Sequence, residues 1–165
     1  MKKLNTRMIT TIGVLVAIEV VLSRFLSINI WSNKIGFAFV PCALCAMLFG
    51  TGPPVILEII ADLLGATLVP SGSFFPGFTL TAALRGLSYG LLLGKKQTPL
   101  RILLVVLFNQ LVLGLALNTL WITILYGSNY GALLITRSVQ CLVLIPVEFV
   151  VITAIAKFRK RVKIA

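Results

Sequence analysis

The sequence contains no histidine and only four acidic residues, Glu19, Glu58, Asp62 and Glu148. Without histidine the commonest general acid and base is missing, and no nucleophile sits in a recognisable constellation with an activating group. No catalytic residue is assigned, and an enzyme is not expected. Cysteine is scarce as well: Cys42, Cys45 and Cys141. Cys42 and Cys45 form a C-x-x-C pair, but a structural zinc site needs about four ligands, and there is neither a second pair nor a histidine to complete one. They read as small buried hydrophobes, and no metal or cofactor is expected. Charged residues make up 12% of the chain, where a soluble domain carries roughly 25%.

Apolar residues fill the space: 59% of the sequence, with a mean hydropathy of +1.07. One soluble core cannot hide that much apolar surface, so the solvent for most of the chain is a lipid bilayer. A spanning helix takes roughly 20 apolar residues, and six of them with short loops use nearly the whole length. The expected fold is all-α and integral to the membrane, a single domain over 1–165. Spans are placed near 8–27, 35–50, 53–69, 77–94, 99–126 and 131–157, each to within about four residues. The start Met1-Lys2-Lys3 precedes an apolar run without a small-x-small cleavage site, so it reads as a retained helix.

The formal charge of +11 would suggest nucleic acid in a soluble protein, but the basic residues flank hydrophobic runs, and no nucleic-acid partner is expected. With a cytoplasmic N-terminus, Lys2, Lys3, Arg7, Lys95, Lys96, Arg101 and the cluster Lys157 to Lys163 all fall inside, while Lys34 falls outside. The positive-inside rule therefore places both termini in the cytoplasm. The stretch Gly90 to Lys96 has too few residues between its glycines for a phosphate-binding loop, and no Ser or Thr follows the lysine. No internal repeat is evident, which weighs against an autonomous pump.

Charges inside a bilayer are costly and mark pairing or a polar cavity. At 1.5 Å per residue, Asp62 lies about 10 Å and Arg85 about 12 Å below the outer surface, close enough for a structural ion pair between neighbouring spans. Arg137 comes at roughly 9 Å and Arg24 at roughly 5 Å, so three arginines would meet an anion arriving from outside. They are equally readable as structural, neutralised by Asp62 and Glu19 or snorkelling to the interface. The outer loop from Pro70 to Gly77 carries Phe74 and Phe75, whose rings could cover a flat heteroaromatic ligand or join Trp31, Tyr126 and Tyr130 in an interfacial belt. Asn118 and Trp121 lie one turn apart and could present an amide and an indole to one cavity; a helix-to-helix hydrogen bond suits Asn118 equally. Small residues recur at four-residue spacing in Gly13 and Ala17, in Ala61 and Gly65, and in Gly86, Gly90 and Gly94. They mark packing faces, internal or toward a partner.

The blocks Leu22 to Ile30 (LSRFLSINI), Lys34 to Pro41 (KIGFAFVP) and Met47 to Gly50 (MLFG) resemble the folate family of substrate-binding subunits of energy-coupling factor (ECF) transporters. So do Ala61 to Gly65 (ADLLG), Pro70 to Gly72, Phe75 to Thr79 and Arg85 to Gly90 (RGLSYG), in that order. The turn Gly50-Thr-Gly-Pro-Pro54 departs from the pattern, and residues 99–165 match by pattern only. The resemblance implies a six-helix subunit of a bacterial plasma membrane that captures folate, or a related vitamin, from outside. It also implies docking on a shared transmembrane coupling subunit that carries two ATPases, with Gly13 and Ala17 at that interface. Ligand contact is carried over onto Arg24, Lys34, Phe37, Phe74, Phe75 and Arg85; Asn118, Trp121 and Arg137 are added from depth and chemistry. The competing readings are the same architecture serving pantothenate or riboflavin, a ligand-free assembly protein, or a proton-driven transporter relaying through Glu19, Asp62 or Glu148.

Overall fold

The computed structural model describes residues 6–30, 33–70 and 73–162, with side chains described outside 28–35 and 160–162. Trp31, Ser71, Gly72, the N-terminal Lys2 and Lys3, and the side chain of Lys34 therefore lie outside the described residues. Among the described residues the chain is helical between short connections, apart from one small hairpin. Helix α1 spans Thr6–Arg24, α2 Phe39–Phe49, α3 Gly52–Leu68 and α4 Pro76–Leu93. Then come α5 (Pro99–Leu107), a π-helical segment (Phe108–Leu117), α6 (Asn118–Tyr126) and α7 (Tyr130–Val162). Among the described residues, three stretches are long and apolar enough to cross a membrane: Thr6–Arg24, Pro99–Tyr126 and Tyr130–Arg159.

Local chemistry sets the boundaries. Gly50, at φ 89°, ends α2 and returns its N–H to the Ala46 carbonyl. Helix α3 restarts two residues later with Pro53 and Pro54 in its first turn, where the missing N–H groups have no intrahelical partner to lose. This accounts for the unusual turn at Gly50 to Pro54. Thr98 caps α5 by accepting from the Arg101 N–H, ahead of Pro99. Gly127, at φ 64°, closes α6.

Within the second expected segment, 35–50, the helix occupies the later part, Phe39–Phe49. Strands β1 (Ile28–Ile30) and β2 (Asn33–Ile35) pair antiparallel, Ile28 opposite Ile35 and Ile30 opposite Asn33, so residue 35 belongs to a hairpin and α2 starts only at Phe39. The alternation in I-N-I of β1 is a strand period, not a helix period. The α2 helix has 11 residues, a rise of about 16 Å and well short of a bilayer. It serves as an interior helix instead: Cys42, Ala43, Cys45 and Ala46 are wholly buried and Met47 nearly so.

The core gathers around α2, from Ile12, Leu15 and Val16 of α1, Leu57 of α3, Tyr89 and Leu93 of α4, Val105 and Val106 of α5, and Ile152 of α7. Close approach of α4 to α3 depends on glycine: a Cβ at Gly86 would lie 2.5 Å from the Pro54 carbonyl oxygen, and one at Gly90 2.6 Å from Thr51 Cα. Beyond this core, toward the ends of α1 and α3 and the start of α7, the bundle opens into a cavity.

Candidate binding cavity

Between α1, α3, α4, the π-helical segment and α7 lies a cavity of about 830 Å³, the size of sites that enclose drug-sized ligands. All four acidic residues of the sequence line it, together with Arg24, Arg85 and Arg137. In a chain this poor in acid, that concentration is the strongest chemical feature of the molecule.

Its α3–α4 wall is internally neutralised. Arg85 Nη1 lies 3.6 Å from Glu58 Oε2, while Asp62 Oδ2 accepts a hydrogen bond from Thr79 Oγ1 at 2.7 Å. The ion pair expected between Asp62 and Arg85 is thus corrected to Glu58 and Arg85. Counted from the observed helix ends, Arg85 lies about 13 Å down α4 and Glu58 about 15 Å down α3, whereas Asp62 is only about 9 Å down. Glu58 and Asp62 are one turn apart on the same face, and depth selects the lower one. Arg24 ends α1 with its guanidinium over Gly65, where a Cβ would meet Nε and Nη2 at 2.7 Å; Asp62 is its acidic neighbour.

The mouth is aromatic. Phe75, in extended conformation before Pro76, packs edge-on against Phe78 with centroids 6.1 Å apart, and at 5.6 Å against Trp121. Gly77 makes room, since a Cβ there would fall 2.6 Å from both Phe75 Cε1 and Trp121 Cδ2. Trp121 Nε1 donates to Thr81 Oγ1 at 3.0 Å, and the Ser73 N–H donates to the Tyr126 hydroxyl at 3.3 Å. The loop after α3 is therefore pinned to α6 from two sides.

The floor is polar. Gln110 Nε2 donates to Glu148 Oε1 at 2.6 Å, Ser88 Oγ donates to Asn109 Oδ1 at 2.7 Å, and Cys141 Sγ donates to the Gln110 carbonyl at 3.4 Å. Asn109, Gln110 and Gly114 all lie on the π-helical segment, and each faces the cavity. Wide helical turns of this kind recur at functional sites. On α7, Arg137 is 8% exposed and donates to Thr119 Oγ1 at 3.3 Å.

Of the residues expected at a site, Arg24, Phe74, Phe75, Arg85, Asn118 and Arg137 all line the cavity. Trp121 does not; one turn of helix rotates it behind Phe75 as a buttress. Phe37 is 47% exposed and packs on Phe39 instead. Sequence reasoning missed Glu58, Gln110, Glu148 and Phe78 as lining residues, although the scarcity of acid was a signal for two of them. Gly13 and Ala17 are exposed on α1, and a Cβ at Gly13 would meet nothing within 4 Å.

A family model described as "ECF transporter, substrate-specific component" matches residues 7–156. A folate transporter FolT from Clostridium novyi is 35% identical over 165 residues, covering 99% of this chain and 95% of that protein. Another, from Leuconostoc mesenteroides, is 31% identical over 153 residues, covering 88% and 82% respectively. The crystal structure of a FolT bound with folic acid matches with a TM-score of 0.87 at 33% identity, over 93% of this chain and 94% of that one.

Proposed function

Since this chain belongs to the substrate-specific components of ECF transporters, we propose that its cavity captures folate from outside the cell for uptake driven by partner subunits. The family binds substrates for transport and is not enzymatic. The observation that carries the reading is one cavity holding three arginines, every carboxylate of the chain and an aromatic mouth, in a relative of two folate transporters. Folate brings a flat pterin for Phe74 and Phe75 to cover and glutamate carboxylates for guanidinium groups to bind.

The chain crosses a bacterial plasma membrane six times, with both termini in the cytoplasm. The succession α1, the hairpin with α2, α3, α4, α5 to α6, and α7 supports that count, the short α2 making the second crossing only together with the residues that lead into it from the hairpin, and the distribution of lysine and arginine supports that orientation. On this topology the hairpin and the loop carrying Phe74 face outward, so the cavity opens to the substrate side. A shared transmembrane subunit and two ATPases supply the energy, because no phosphate-binding loop exists in this sequence. The exposed small-residue stripe of Gly13 and Ala17 is where that subunit docks. Arg24, Phe74, Phe75, Arg85, Asn118 and Arg137 contact the ligand, and the resemblance adds Lys34, whose side chain lies outside the described residues.

Equilibrium binding of folic acid to the purified, detergent-solubilised chain tests this, with pantothenate, riboflavin and thiamine as competitors. Tight binding that none of the three displaces is the expected result. Displacement by one of them would keep the architecture and overturn the substrate. Well-folded protein that binds none of the four would point to a ligand-free assembly role.

A further inference from the structure

Helix α2 and the last third of α7 enclose an outward-facing groove of about 780 Å³, which shares no lining residue with the central cavity. Its walls follow from what the two helices bury. On α2, Cys42, Ala43, Cys45 and Ala46 turn into the core, which leaves Leu44 and Leu48, one turn apart, on the outer side. On α7, Ile152 and Ala156 turn inward, and Val150, Val151, Ala154, Ile155, Phe158 and Arg159 form the opposite wall at four-residue spacing. Ala154, the smallest side chain of that wall, makes the recess, and Val150 and Phe158, 64% and 73% exposed, stand one turn to either side of it.

Among the residues lining the groove, Arg159 alone carries a hydrogen-bonding side chain, and it stands at one end. From Val150 to Arg159 the helix rises about 14 Å, close to the depth of one hydrocarbon leaflet, about 15 Å. Every acidic side chain of the sequence lines the central cavity instead, and among the described residues no carboxylate lies within 4 Å of Arg159. Its counter-charge must come from outside the chain. In the sequence Lys160, Arg161 and Lys163 follow, and basic clusters beside a span draw anionic lipid toward them. An apolar trough one leaflet long, closed by a guanidinium at headgroup depth, is the complement of an amphiphile with an anionic head. A docking helix fits it less well, because helices approach closely in lipid through stripes of small residues, and Ala154 stands here among Leu, Val, Ile and Phe.

We propose that this groove is a binding site for an anionic phospholipid, with one acyl chain lying along Leu44, Leu48 and Ala154 and the phosphate on Arg159. A guanidinium meets a phosphate through two parallel N–H donors, so the headgroup is seated there and not merely attracted. The membrane orientation given above decides which leaflet supplies the lipid, the cytoplasmic one; the identity of the ligand in the central cavity does not enter. Occupied, the groove gives α2, too short to cross the bilayer by itself, a fixed neighbour on its open side.

Native mass spectrometry of the detergent-solubilised chain tests the site, by titration with phosphatidylglycerol or phosphatidylcholine of identical acyl chains. Micelles have no inside, so the result does not depend on the orientation. The wild-type chain is expected to bind one phosphatidylglycerol roughly 10-fold more tightly than phosphatidylcholine. Arg159→Gln should remove that preference, lowering phosphatidylglycerol affinity roughly 10-fold. Lys157→Gln, exposed and on the other side of the helix, should lower it by less than about twofold. Ala154→Trp fills the recess without touching a charge and should weaken both lipids by about fivefold or more; Leu48→Trp, on the facing wall, takes its place if that variant does not fold. Equal wild-type affinity for the two lipids, or equal losses in Arg159→Gln and Lys157→Gln, overturns the seated headgroup in favour of diffuse attraction. Unchanged phosphatidylglycerol binding in the groove-filling variants overturns the groove, and failure of the coupling subunit to co-purify with those same variants would assign it to a helix of that subunit.

Discussion

Two walls of one cavity carry charge in different ways. On α3 and α4 Arg85 pairs with Glu58, and Asp62 takes the Thr79 hydroxyl and lies beside Arg24 of α1. On α7 neither charge forms a close ion pair among the described residues: Arg137 holds the Thr119 hydroxyl and Glu148 the Gln110 amide. A close ion pair holds two helices together whether or not a ligand is present, whereas a buried charge without one is a candidate binding group. The membrane sharpens the contrast, because lipid offers neither charge nor hydrogen bonds.

The comparison breaks first at Arg85. Replacing it with Ala strands Glu58, which is 2% exposed, and is expected to cost about 3 kcal/mol of stability, read as a lower unfolding temperature in detergent. The double variant Arg85→Met with Glu58→Leu should recover much of that loss, because a well-packed apolar pair removes both charges together. Arg137→Gln should change stability by less than about 1 kcal/mol, since no salt bridge is lost. Equal losses at Arg85 and Arg137 would erase the distinction between the two walls.

Glycine 86 gives the next largest effect. The atoms a Cβ would strike belong to the backbone at Pro54 and Val55, which cannot step aside as a side chain can. Gly86→Val is expected to cost about 1–3 kcal/mol by forcing α4 away from α3, again read by thermal unfolding. A neutral result would mean that the two helices tolerate a wider spacing.

How far the sequence discloses this arrangement depends on which coordinate of a residue matters. Position along the chain is legible: prolines at the starts of α3, α4 and α5 and glycines at 50 and 127 mark the helix boundaries. The hairpin escapes a hydropathy reading, because Ile28, Ile30 and Ile35 look like the beginning of an apolar run until their alternation with Asn29, Asn33 and Lys34 is weighed. Depth is legible only to about a turn, which is why Asp62 and not Glu58 was matched to Arg85. Rotation about the helix axis is hardly legible at all. Asn118 faces the cavity and Trp121 turns behind Phe75, though both sit one turn apart on a uniformly apolar stretch. Glu148 was visible as a rare buried acid, but only packing shows that it shares a face with Arg137.

Trp121 offers a smaller test, at the mouth of the cavity. Trp121→Phe keeps an aromatic behind Phe75 but deletes the donor to Thr81 Oγ1, a loss of about 1 kcal/mol. Folate affinity should fall by a few-fold, as Phe75 loses a fixed surface to rest on, while unfolding shifts by only a few degrees. No change in affinity would separate the buttress from the site.

The smallest expected effect on stability falls on the other glycine stripe. Gly13 and Gly86 share the same four-residue spacing to a small neighbour, yet a Cβ at Gly13 meets open space where one at Gly86 strikes backbone. Gly13→Leu should therefore change the stability of the isolated chain by less than about 0.5 kcal/mol and leave folate binding intact. Its expected effect appears only with partners present: a leucine on this exposed face keeps two helices from approaching closely, so co-purification of the coupling subunit and folate uptake by cells should both fall. Uptake at the wild-type level would detach Gly13 from docking and leave the stripe as an ordinary lipid-facing surface. Loss of uptake with binding preserved would show that the same spacing of small residues serves the fold on α4 and the assembly on α1.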